Sequence, residues 1–303
     1  MTAEHGIVLV TGTSSGIGLA TAVAAAEAGF TTVATMREPA RAGALREAAE
    51  RAGVTLDVRR LDVTDADSVT ACVDGVARTY GRLDAVVNNA GVSNSDPTME
   101  MSTTAALRAN LEVNFFGVVA VSRAAMPLLR VGHGRLVTIG SVHGVVGQPF
   151  NEAYCAAKFA VEGFMESLAP VAGALGVRVS VVVPGFVPDT SFGVFPDIDR
   201  ATVQAASGPY ASVFADYLDR IGGQGWEAAG QPAREVAEVV VRALRADRPA
   251  FRIPANRWAA EYLGHKLADR DGSAVQTLAR TWTGRPEPEP GPLPPQPHRP
   301  QSR

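Results

Sequence analysis

The tightest constraint on this chain is a run of small residues, Thr11-Gly12-Thr13-Ser14-Ser15-Gly16-Ile17-Gly18, that follows an apolar stretch and opens a helical one. Residues 7–10 are short, apolar and β-prone, as a strand buried on both faces can be. Residues 17–28 are alanine-rich and stop at Gly29, a natural end for a helix. Glycine lets the backbone of the intervening turn come close to whatever sits there. The helix start adds unpaired N–H groups and the positive end of the helix dipole. Strand, small-residue turn and helix together form an anion cradle suited to a dinucleotide pyrophosphate. Gly12, Ser14, Ser15, Gly16, Ile17 and Gly18 are its candidate residues. A turn packed for its own sake would account for the glycines, but not for their place at the first strand-to-helix junction.

From there β-prone runs alternate with helical ones. Strands are predicted at 31–35, 54–58, 83–87, 135–139 and 177–183, and helices at 39–52, 65–80, 104–129 and 151–175. Six apolar strands separated by helices predict an α/β fold, a doubly wound parallel sheet with right-handed crossovers and helices on both faces. Residues 185–230 are of mixed polarity without a clear period and read as a substrate loop. Helical periodicity returns at 234–245, and 250–253 reads as a last strand. A single domain over 4–270 is expected. Residues 271–303 read as a C-terminal helical segment and a proline-rich, disordered tail.

Composition narrows the function. A net charge of −3, with no basic face or aromatic-basic motif, argues against nucleic-acid binding. The two cysteines, Cys72 and Cys155, are far apart, so neither a metal site nor a disulfide framework is expected. The N-terminus lacks the basic segment and apolar run of a signal peptide. No stretch approaches the roughly 20 apolar residues of a membrane span, and a cytoplasmic location is expected.

Further clusters carry chemistry. Asn88-Asn89-Ala90-Gly91 closes the fourth strand, at the strand end where doubly wound sheets bind ligands. Asn114 lies within Asn114-Phe115-Phe116-Gly117, Ser141 follows the fifth strand, and Pro184-Gly185 follows the sixth. Tyr154 and Lys158, in Tyr154-Cys155-Ala156-Ala157-Lys158, share one helix face a turn apart. A nearby ammonium favours the phenolate, so such a tyrosine can give and take a proton. The glycines follow G-x-x-x-G-x-G, introduced by Thr-Gly. With these signatures in order from Thr11 to about Val187, the chain resembles the short-chain dehydrogenase/reductase family. Residues 148–163 and Thr35-Met36-Arg37 resemble its 17-beta-hydroxysteroid and retinol dehydrogenase branch.

The resemblance implies a Rossmann fold and a catalytic tetrad of Asn114, Ser141, Tyr154 and Lys158. In it Tyr154 is general acid and base, and Ser141 holds the substrate oxygen. Lys158 also donates to the nicotinamide ribose, and Asn114 anchors a water leading from Lys158 to solvent. Asn89, Ala90, Gly91, Pro184, Gly185 and Val187 are implied cofactor contacts, with Asp62 and Val63 near the adenine. Asp62 reads equally as the polar flank of the next helix, whose cap is Thr64 or Asp65. No carboxylate ends the second strand. Met36 stands there and Arg37 follows, which favours NADP(H), unless Glu38 neutralises the arginine. The family's threonine after Pro-Gly is displaced: Asp189 holds its position and Thr190 comes next. Either the loop shifts by one residue or the contact is missing. His143 reads as a rim residue, with a place in the substrate pocket as the alternative. Phe186, Phe192, Phe195 and Tyr210 form either an apolar lid or loop core. The expected activity is NADP(H)-dependent interconversion of a ketone and a secondary alcohol on a bulky apolar molecule, by a homodimer or homotetramer joined through the two long helices. The alternatives are an NAD-linked alcohol dehydrogenase and a non-catalytic NADP(H) sensor, whose mark would be a broken tetrad.

Overall fold

The structure, a computed structural model, describes residues 6–93, 98–190, 205–221 and 230–268. Its strands are β1 (Ile7–Thr11), β2 (Thr31–Met36), β3 (Asp57–Arg60), β4 (Ala85–Asn88), β5 (Arg135–Ile139), β6 (Arg178–Val183) and β7 (Arg252–Pro254). They pair in parallel as one seven-stranded sheet in the order β3-β2-β1-β4-β5-β6-β7. The helices are α1 (Gly16–Glu27), α2 (Gly43–Arg51), α3 (Ala66–Tyr80), α4 (Thr104–Leu111), α5 (Gly117–Gly132), α6 (Glu152–Gly173), α7 (Ala211–Ile221), α8 (Ala233–Arg245) and α9 (Arg257–Leu267).

The apolar runs are continuous because each strand is covered on both faces. Leu9, Val86 and Leu136 pack into a core with Val76 of α3, Val121 of α5 and Met165 of α6. Their neighbours Val8, Val87 and Val137 face the other way, onto Ala25 of α1 and Val236 and Val240 of α8. From β1 the chain winds outward through β2 to β3, then returns to lay β4 on the other side of β1. That reversal opens a crevice above the carboxyl ends of β1 and β4.

Several boundaries differ from the sequence reading. β3 begins at Asp57, because Gly53, at φ +66°, ends α2 and the Val54 N–H turns back to the Ala49 carbonyl at 3.0 Å. Pro39–Arg41 is a separate 3₁₀ turn before α2. The long central helix is interrupted by a π-helical stretch, Glu112–Phe116, and continues to Gly132. The supposedly aperiodic 185–230 region holds α7, whose Phe214, Tyr217 and Leu218 pack with Phe150. Phe192, Phe195 and the tail at 271–303 lie outside the described residues. Contrary to expectation, one helix, Thr104–Gly132, is long and apolar enough to cross a membrane. Here its Val118, Val121, Ala125 and Leu129 are buried in the core.

Leu136 is fully buried in the interior strand β5. Leu136→Ala is expected to cost about 3 kcal/mol through lost burial and the cavity left behind. Urea unfolding checks this, and a loss below about 1 kcal/mol would contradict the packing described.

Candidate active site

The crevice starts from the glycine loop. Gly12 has φ +70°, and a Cβ there would lie 2.8 Å from the Ala90 Cα. A Cβ on Gly18 would lie 2.1 Å from the Gly12 carbonyl oxygen and 2.3 Å from the Asn89 Nδ2. Only hydrogen fits at that second contact. The Asn89 side chain holds the loop, donating to the carbonyls of Thr11 at 2.9 Å and Gly12 at 3.0 Å. In return the Thr11 hydroxyl accepts from the N–H groups of Asn89 and Ala90. At the start of α1, Ser15 makes no side-chain cap and no acidic residue occupies the first turn. The helix N-terminus therefore keeps its positive end for an outside anion. The donor set and the close backbone approach fit a dinucleotide pyrophosphate.

The cleft above the strands has a volume of about 680 Å³. All the residues expected to touch cofactor line it: Gly12, Ser14 to Gly18, Arg37, Asp62, Val63, Asn89 to Gly91, Tyr154, Lys158, Pro184, Gly185 and Val187. Met36 is buried and Arg37 is exposed at the lip. Among the described residues neither Arg37 nor Glu38 forms an ion pair, so Glu38 does not neutralise the arginine. Burial pushes the Asp62 carboxyl up, but hydrogen bonds from Thr64 and the charges of Arg37 and Arg60 carry it below its ordinary value. The cap of α3 is Asp65, which accepts from the N–H groups of Asp67 and Ser68.

The displaced threonine is accounted for by its neighbour. Asp189 turns away from the cleft, and both its oxygens accept the Ala233 N–H at the start of α8, at 2.9 and 3.1 Å. A carboxylate there suits the helix dipole. Thr190 faces the other way: it lines the cleft, and its Cγ2 would lie 3.0 Å from a Cβ on Gly16.

Ser141, Tyr154 and Lys158 meet on the cleft wall, while Asn114 does not line it. Tyr154 and Ser141 are joined by a side-chain hydrogen bond. Burial raises the Tyr154 phenol well above its ordinary value, the Ser141 bond pulling weakly the other way. The depression suggested by the Tyr-Lys spacing is therefore not the dominant effect, and desolvation wins. The Lys158 Nζ lies 5.7 Å from the Tyr154 ring centroid and donates to the Ile139 carbonyl at 2.9 Å. Among the described residues that is its one hydrogen bond, although an ammonium has three donors. Burial pushes it down to about 8. A buried cation with donors to spare fits a site that receives polar groups from outside, such as ribose hydroxyls.

Asn114 is fully buried in the π-helical stretch. Its side chain exchanges hydrogen bonds with the Val92 backbone and donates to Asn110 Oδ1 at 2.8 Å. Its side chain braces the loop after β4.

His143 is half-buried and lines the cleft. Its ring meets that of Tyr154 edge-on at 6.2 Å, and burial pushes its imidazole down to about 4, leaving it neutral. The rest of the wall contains residues the sequence reading did not single out: Gln148, Asn151, Phe214, Tyr217 and Leu218. The spacing of Phe214, Tyr217 and Leu218 at i, i+3 and i+4 was the available signal. Phe186 also lines the cleft, whereas Tyr210 packs behind it against the aromatic cluster.

A model of the short chain dehydrogenase family matches residues 6–194. The chain belongs to the short-chain dehydrogenase family. Among relatives of this short-chain dehydrogenase, retinol dehydrogenase 8 of Bos taurus is 36% identical over 272 residues, covering 88% of this chain and 86% of that protein. The 17-beta-hydroxysteroid dehydrogenase type 1 of Homo sapiens is 37% identical over 283 residues, covering 89% and 84%. A short-chain dehydrogenase structure from Streptomyces avermitilis superposes with a TM-score of 0.71 at 28% identity, covering 93% of this chain and 97% of that one. The fold, an oxidoreductase activity on CH–OH groups and a nicotinamide dinucleotide as cofactor follow from this membership.

The low value at Lys158 of this dehydrogenase has a stability consequence. Between about pH 8 and the ordinary lysine value of 10.5, the unfolded chain holds more protons at this residue than the native one. Stability therefore rises with pH across that window. In the ligand-free protein, the wild type should gain on Lys158→Met between pH 7 and pH 10 in denaturant midpoints. Parallel profiles would contradict the buried, depressed ammonium.

Proposed function

We propose that the protein is an NADP(H)-dependent oxidoreductase that interconverts a ketone and a secondary alcohol on a bulky, largely apolar molecule. The observation that carries this reading is the juxtaposition of Tyr154, Ser141 and Lys158 in one cleft with the glycine loop. The nicotinamide supplies or accepts the hydride when bound. Ser141 holds the substrate oxygen by a hydrogen bond, and Tyr154 gives that oxygen its proton in reduction and removes it in oxidation. Lys158 donates to ribose hydroxyls, and its positive charge, together with that of an oxidised nicotinamide when bound, works against the desolvation of the Tyr154 phenol. Asn114 holds the loop after β4, on which Ala90 and Gly91 border the cofactor.

Preference for the phosphorylated cofactor rests on Arg37. It is exposed, without an ion pair among the described residues, and no carboxylate stands at the tip of β2 to receive a ribose 2′-hydroxyl. The apolar substrate is supported by Val142, Phe186, Phe214 and Leu218 on the cleft wall, and by the steroid and retinol dehydrogenases among the relatives. Phe116, Val131, Phe159 and Val171 are exposed on the helices Glu112–Phe116, α5 and α6 and support an oligomer joined there.

Tyr154→Phe removes the hydroxyl and little else. NADPH consumption with bulky cyclic ketones should fall by about 10² to 10⁴-fold, while NADPH binding measured by fluorescence is retained. Turnover within a few-fold of wild type would sink the assignment of Tyr154.

A further inference from the structure

We propose that Gln148, Asn151 and Tyr217 form a second polar recognition point in the cleft, one that receives a hydroxyl group of the substrate close to its reacting carbon. The proposal rests on the oxidoreductase reading only for which carbon reacts.

Three features of the segment 148–151 have no other evident purpose. Gln148 is a polar residue buried to all but 8% of its surface in a wall that is otherwise largely apolar. Its Nε2 donates to the Tyr217 hydroxyl at 2.9 Å. Among the described residues its amide oxygen receives no hydrogen bond, and it is not sealed in the interior. Buried polar groups are normally satisfied, so an acceptor left open on a cleft wall points to a ligand donor.

Asn151 tells the same story. It stands at the N-cap of α6, where an asparagine ordinarily accepts from the helix's own N–H groups. Here it makes no cap. Its Nδ2 donates to the same Tyr217 hydroxyl at 3.1 Å, and its amide oxygen receives no hydrogen bond among the described residues. Each amide thus gives one N–H to Tyr217, Asn151 Nδ2 also donates to the Pro149 carbonyl at 3.4 Å, and both amide oxygens are left as open acceptors among the described residues. The complementary group is a donor, and on a molecule otherwise suited to an apolar cleft that is a hydroxyl.

Between them, Phe150 adopts φ +61°, a left-handed conformation that a bulky side chain rarely takes. The strain is held by packing. The Phe150 ring lies 4.9 Å from that of Phe214 and 5.1 Å from that of Tyr217, so α7 clamps the turn in this shape. Strain that persists beside an open polar pair is a mark of a binding element.

Position sets the geometry of the ligand. Asn151 precedes Tyr154 by one turn of the same helix, about 4.5 Å along its axis. The hydroxyl therefore belongs a few carbons from the carbonyl, in a hydroxyketone or the corresponding diol, not at the far end of a long molecule.

The test separates this subsite from catalysis by measuring binding in Tyr154→Phe protein. Calorimetry in the presence of NADP⁺ compares 1-decalol with decalin-1,3-diol. The diol is expected to bind about 10-fold more tightly, and Gln148→Leu in the same background should bring the two affinities together. Tyr217→Phe, which keeps the aromatic packing, should also narrow the ratio. Equal affinities, no binding of either compound, or a preference that survives Gln148→Leu would overturn the proposal. So would a Gln148→Leu protein that loses stability with its selectivity intact, since the cluster would then only brace α7. A preserved affinity ratio with no ketone turnover by the wild type would support the subsite and count against the oxidoreductase reading.

Discussion

The site depends on the exchange of hydrogen bonds between the ends of β1 and β4. The Asn89 amide donates to the Thr11 and Gly12 carbonyls, and the Thr11 hydroxyl accepts from the backbone of Asn89 and Ala90. These two strands are adjacent only because the chain reverses its winding direction between β3 and β4. The lock thus ties the topological switch to the glycine loop and holds the start of α1 open toward the crevice. Gly18 and Gly12 permit it by bringing backbone to within a distance that a side chain would forbid.

Around that lock the fold accepts electrostatic cost. Lys158 is buried with one carbonyl partner among the described residues, and Tyr154 is buried beside it. Both are displaced toward their neutral forms by desolvation. A stable interior would avoid such groups. Their presence together, with Ser141 on the phenol, is intelligible when the cleft is a place where charge and polar groups arrive from solution. Asp189 shows the opposite economy: its carboxylate is turned onto the start of α8, which keeps a negative charge away from the pyrophosphate site.

Much of this was legible in the sequence because the relevant signals are local. A strand followed by Thr11–Gly18 and a helix declares its own purpose, and Tyr154 and Lys158 need only helical spacing to share a face. What the sequence did not disclose depends on contacts between distant segments. Gln148 and Asn151 become informative only when Tyr217 is brought against them from α7, 66 residues beyond Asn151. Asn114 sits among helical residues, and its bracing of the loop at Val92 shows only once the π-helical stretch and that loop are brought together. The extended start given to β3 failed because Val54, β-prone in itself, was already engaged in closing α2. The helix at 211–221 was hidden by the glycine and proline residues around it.

The most direct test of the central claim is a fluorescence titration of the purified protein with NADPH and with NADH. An exposed Arg37 at the lip of the cleft, without an ion pair among the described residues, and the absence of a carboxylate at the tip of β2 predict tighter binding of NADPH, by about 10-fold or more. Binding of NADH as tightly as NADPH would contradict the role given to Arg37, and binding of neither would contradict the cleft itself.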